Sequence, residues 1–206
     1  MSARRVRRSI AGATVLLCGV LGLWIAAARG GGPVVTPIDR TVSDLLSGVD
    51  YVPGRAELDG ALGADAEARL IAIAHGADPG LASPGQRIRA YRALSLYPTS
   101  STRDALGQAL ASYGGIRAGV ATLYVRAAMA SLVEVAGPDA IGPIMPLLQH
   151  PSLDVRADAA RALGLSRSPL AIDPLSRQQL VEASPQVQLA ITEALRILQE
   201  TIAGTN

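Results

Sequence analysis

The chain has 206 residues, 49% of them hydrophobic but only 3% aromatic, with five Tyr, one Trp and no Phe. Its apolar mass is Ala, Leu, Ile and Val, led by strong helix formers, which argues against a β-sandwich or barrel. One Cys and two His exclude a thiol framework and a Cys₂His₂ zinc site. All 19 basic residues are Arg; five lie in the first 29 positions, leaving fourteen against all 17 acids in the remainder. The globular part is mildly acidic, with no basic excess for a nucleic-acid backbone.

Residues 1–28 read as a signal peptide or membrane anchor. Arg4, Arg5, Arg7 and Arg8 precede an uncharged apolar stretch from Ser9 to Ala28. Ala26, Ala27 and Ala28 supply the small residues of a cleavage site. The length of the stretch and Trp24 near its outer end suit an uncleaved span. In either case the positive-inside bias puts residues 30–206 outside the cytoplasmic membrane, periplasmic or anchored there, and only residues 9–28 would touch the membrane. Cys18 follows Leu17, not a small residue, so it reads as apolar filler rather than a lipidation site. Residues 29–50 read as a Gly/Pro-rich tether, with a possible capping helix at Ser43–Leu46.

From residue 51 onward the expectation is an α-solenoid. Four segments share a pattern, beginning at Ile88, Val125, Val155 and Val187 with spacings of 37, 30 and 32 residues. Such self-similarity marks stacked helix pairs. Val155, Ala159, Ala162 and Leu163 share one helical face, as do Val187, Ile191, Ala194 and Leu195. Weaker helical partners are expected near 65–75, 102–113, 139–149 and 170–182. Ser83-Pro84 and Ser184-Pro185 pair an N-cap hydroxyl with Pro at the first helical position. Gly76, Gly114, Gly137 and Gly164 are expected at helix ends.

Residues 155–164, Val-Arg-Ala-Asp-Ala-Ala-Arg-Ala-Leu-Gly, resemble the second helix of short bacterial HEAT-like repeats. Residues 139–148 resemble the first helix of such a unit. The resemblance implies an all-α solenoid of about four HEAT-like pairs, covering 120–200 well and 64–119 less closely. Gln188 replaces the repeat Arg in the last unit, as an end unit with a polar outer face would allow. Arg92 falls where a small core residue is expected.

The repeat arginines Arg89, Arg126 and Arg156 are expected to bond carbonyls or an acid of the adjacent repeat, holding the stack angle. In HEAT proteins the second helices line the concave face. That makes Ser131, Arg161 and Glu193, with Glu134 and Arg196, the candidate protein-binding residues. Their mixed signs suit a protein surface. His75 and His150 sit at separate helix ends, and Asp154 and Asp158 favour a helix N-terminus. No nucleophile elbow or phosphate-cradling loop appears, so no catalytic residue, metal or cofactor is expected.

The sequence thus implies a non-enzymatic scaffold or adaptor binding an envelope-located protein. The alternatives are a lyase or ligand-binding accessory protein, since some HEAT-like repeats resemble phycobilin lyases, and a structural envelope protein.

Overall fold

The computed structural model describes residues 37–48 and 51–204. The leader 1–28, with Cys18 and Trp24, and the Gly/Pro-rich residues 29–36 lie outside them. Local chemistry sets where the helices begin. Helix α1 (Pro37–Leu45) is longer than the capping segment expected at Ser43–Leu46, and packs on α2 (Arg55–Leu62). Helix α3 (Ala66–His75) ends at Gly76, whose φ of 74° is the left-handed conformation that favours glycine. Helix α4 (Pro84–Ala93) starts from a capping box: Ser83 Oγ accepts from the Gln86 N–H at 3.3 Å, and Gln86 Oε1 accepts from the Ser83 N–H at 3.2 Å. Helix α5 (Ser100–Tyr113) is capped by Thr99, whose Oγ1 accepts from the Thr102 N–H at 3.1 Å.

Helix α6 (Val120–Ala136) is followed by the short α7 (Ile141–Ile144), set between two 3-10 turns. Val120–Gln149 is apolar enough in composition to cross a membrane. Half of its most apolar stretch is buried inside the fold, and Gly137 (φ 51°) with Pro138 breaks the run, so it serves as core. Helices α8 (Leu153–Leu165), α9 (Ile172–Val181) and α10 (Pro185–Ala203) complete the order.

Helices α4, α6, α8 and α10 pack side by side in sequence, and α3, α5, the α7 region and α9 each pack on their following partner. Four helix pairs therefore stack in two layers, with α1 and α2 on the first, and the described residues contain no strand. This is an all-α solenoid. The core runs the length of the stack, from Val42 and Leu46 through Leu70, Tyr91, Leu106, Met129 and Leu163 to Ile191 and Leu198.

One expectation is corrected here. Gly164 does not end a helix: it lies inside α8, where a Cβ would come within 2.7 Å of Ala194 Cα and 2.9 Å of its Cβ. The glycine is needed because α8 and α10 approach too closely for a side chain. The exposed residues of the last pair are mostly polar, among them Arg177, Gln179, Gln188, Glu193 and Gln199, with Leu180, Val181 and Leu189 exposed beside them.

Candidate protein-binding groove

The repeat arginines do different jobs. Arg156 is the most thoroughly engaged. Its Nε and Nη2 each donate to a carboxylate oxygen of Glu182 at 2.9 Å, and its Nη1 donates to the carbonyls of His150 at 2.9 Å and Pro151 at 3.3 Å. Glu182 is buried and also accepts from Gln178 Nε2 at 2.9 Å and the Ser184 N–H at 3.0 Å. These bonds hold its carboxyl down at about 2, the Arg156 guanidinium being the largest cause. The node ties the start of α8 to the α9–α10 connection. Beside it, the His150 ring accepts from the Ser152 N–H at Nδ1 and meets the Ile116 carbonyl at 3.1 Å through Nε2, so Nε2 carries the proton.

In α4 the equivalent residue is Arg87, not Arg89. Its Nε donates to the Ala74 carbonyl at 3.0 Å and its Nη2 to the Tyr113 hydroxyl at 2.7 Å. The guanidinium sits 4.2 Å from the Tyr124 ring centre. The alignment on Ile88 slips by two because the cap sets the register. Counted from Ser83 and Ser152, the buried Gln86 stands where Val155 stands. Arg92 then matches Arg161 on an exposed face, which removes its conflict with the core. Arg126 bonds Asp158 of the next repeat, and Asp158 also accepts from Arg161 Nη1 at 2.7 Å. Asp158 is thus a bridge between two arginines, more than a charge at a helix N-terminus.

Arg89 and Arg92 instead line a hollow of about 430 Å³ with Tyr51, Val52, Ile88 and Leu96. A second hollow of about 350 Å³ continues from Ile88 and Arg92 across α6 and α8, past Leu123, Ala130, Glu134, Arg161 and Leu165. The two form one groove along α4, α6 and α8. Its floor is apolar, with Leu123 and Leu165 43% and 57% exposed.

Of the candidate contact residues, Glu134 and Arg161 lie in this groove. Ser131 does not: it is 2% exposed, and its Oγ donates to the Arg92 carbonyl at 3.4 Å. Helix α6 has Gly119 before it and no hydroxyl cap to fix the count; Val125 is buried as expected, and Tyr124 beside it is buried too, which turns the exposed face by one residue. Ala130 consequently takes the exposed position beside Arg161. Glu193 and Arg196 lie on α10 outside both hollows and pair with each other at 2.9 Å, Arg196 also reaching Glu200. The contributions of Leu123, Leu165, Arg92 and the 51–53 segment escaped the sequence reading. Exposed leucines follow the same helical period as core ones, and a loop brought in from far along the chain has no local signal.

Residues 122–196 match the family model for HEAT repeats. No curated protein and no solved structure gives a significant match. The matched segment runs from α6 into α10, whose helix pairs stack as the repeat requires, and this part of the chain is similar to HEAT repeats.

Proposed function

We propose that the protein is a non-enzymatic scaffold that holds a partner protein in the α4–α6–α8 groove. HEAT repeats generally mediate contacts between proteins, and their family is typically non-catalytic. The observation that carries the reading is the continuity of the groove across three repeats. Exposed Leu123 and Leu165 sit between charged groups, the apolar floor and polar rim of a recognition surface. The leader sequence supports a place outside the cytoplasmic membrane, and the partner would share that compartment.

A photo-crosslinking residue at Ala130, in the groove, tests this against one at Ala111, exposed on α5 in the other layer. The scaffold reading expects a discrete protein adduct in intact cells from position 130 only, abolished by Leu165→Arg. Equal labelling from both positions, or an adduct indifferent to Leu165→Arg, overturns it. Protease added to spheroplasts tests the compartment: residues 30–206 should be digested without lysis.

A further inference from the structure

The groove is electrostatically uneven, and the unevenness names its occupant. At the α6–α8 end, Arg126 and Arg161 are both held by Asp158, so their charge is largely answered within the fold. At the α4 end, Arg89 and Arg92 flank an apolar hollow and have no carboxylate partner among the described residues. Other interior-facing arginines in the stack are used: Arg87 and Arg156 each find carbonyls and a second polar partner. Arg103, Arg117, Arg167 and Arg177 likewise have no carboxylate partner among the described residues, so what sets Arg89 and Arg92 apart is that both line one apolar hollow. Between them the hollow is walled by Val52, 86% exposed, and Tyr51, 43% exposed, against Ile88 and Leu96.

We propose that this end of the groove receives an acidic peptide segment in which a large apolar side chain lies next to carboxylates. The inference rests on the groove being the binding surface. The apolar side chain enters between Val52 and Ile88, and the carboxylates accept from Arg89 and Arg92. Guanidinium groups suit this role because they present paired donors matched to a carboxylate. A segment rich in Lys or Arg would be rejected by the same pair.

The test is fluorescence anisotropy of the full chain in mild detergent with three labelled short peptides: alternating Glu and Leu, alternating Glu and Ser, and alternating Lys and Leu. The expected order is Glu–Leu bound, Glu–Ser weaker, Lys–Leu unbound. Arg89→Gln with Arg92→Gln should weaken Glu–Leu binding by about tenfold or more. Arg103→Gln on α5 should change it by less than about twofold. Circular dichroism melting should show both variants folded, since neither the Arg89 nor the Arg92 guanidinium is tied to another described residue. Equal binding of Lys–Leu, indifference to the double substitution, or no peptide binding at all overturns the acidic occupant. Equal competition by a single-stranded DNA oligomer also overturns it, by showing that charge alone is read. These failures leave the scaffold reading to its own test, because the position 130 adduct depends on Leu165 and on no arginine.

Discussion

At the scale of single residues, the Arg156–Glu182 pair is the strongest stitch between repeats. Both side chains are largely withdrawn from water, 19% and 3% exposed, and the pair is bidentate, with Glu182 also accepting from Gln178 and the Ser184 N–H. Such a pair is costly to break from one side, because the survivor stays buried as an uncompensated charge. Arg156→Ala should lower stability by about 3–5 kcal/mol, read as a drop in urea midpoint. Acidification acts on the same carboxylate. Its folded value of about 2 lies below the ordinary 4.5, so the unfolded chain binds the extra proton. The stability it supplies is complete above about 4.5 and is lost as pH falls toward 2, on the order of 3 kcal/mol in all. His75 adds an earlier step. Burial, opposed by its bond to the Ala105 carbonyl and reinforced by Arg87, holds its value below 6.5. The unfolded ring therefore protonates first, and stability falls as pH drops below about 6.5. Urea titrations across this range should show two declines. Glu182→Gln should remove the lower one and His75→Gln the upper one; a single decline untouched by either variant would refute both assignments.

At the scale of the element, glycine shows how packing overrides propensity. Replacing Gly by Ala in a helix normally gains up to about 1 kcal/mol. Gly107, inside α5, has open space around the place a Cβ would take, with nothing within 4 Å, so Gly107→Ala should raise the melting temperature. Gly164→Ala should lower it, because the new Cβ would overlap the Ala194 backbone at 2.7 Å. Overpacking of about 1–3 kcal/mol exceeds the propensity gain and reverses the sign. Matched rises from the two variants would contradict the close approach of α8 and α10. The helix pairs themselves were readable from sequence, since the expected partners near 65–75 and 102–113 appear as α3 and α5 almost residue for residue. The register within them was not. A β-branched residue looks like the head of the buried stripe, yet Ser83 and the capping box start α4 so that Gln86 takes that place. Its polar atoms are satisfied locally and by Ser43, so a residue type that reads as surface is buried. The groove shows the same limit: the charged Glu134 and Arg161 lie in it, Ser131 is buried with its neighbour Ala130 exposed there instead, and Leu165 carried no signal that set it apart from the core leucines.

At the scale of the whole stack, stability in a repeat protein is close to a sum of repeat terms and nearest-neighbour interfaces. The two ends then differ sharply. Helix α1 and the residue after it contribute buried Val42 and Leu46 and the Ser43–Gln86 bond of 2.9 Å. Two fully buried side chains represent about 3–6 kcal/mol at most. The last pair contributes Leu175, Val187, Ala190, Ile191, Ala194 and Leu198, together with the buried Glu182 that answers Arg156. Its removal also uncovers α8, whose packing on α10 is the most extensive helix contact in the described fold. A chain starting at Tyr51 should therefore unfold cooperatively with a lowered urea midpoint. A chain ending at Ser168 should lose the cooperative transition, because Arg156 is left without its carboxylate and the Gly164 face of α8 meets water. The groove lies on α4, α6 and α8, so the two truncations also separate stability from recognition. With residues 1–36 retained for export, deletion of residues 37–50 should keep the position 130 adduct, and the C-terminal truncation should lose it through unfolding. Loss of cooperativity from the N-terminal deletion alone would place the keystone of the stack at α1 and refute this ordering.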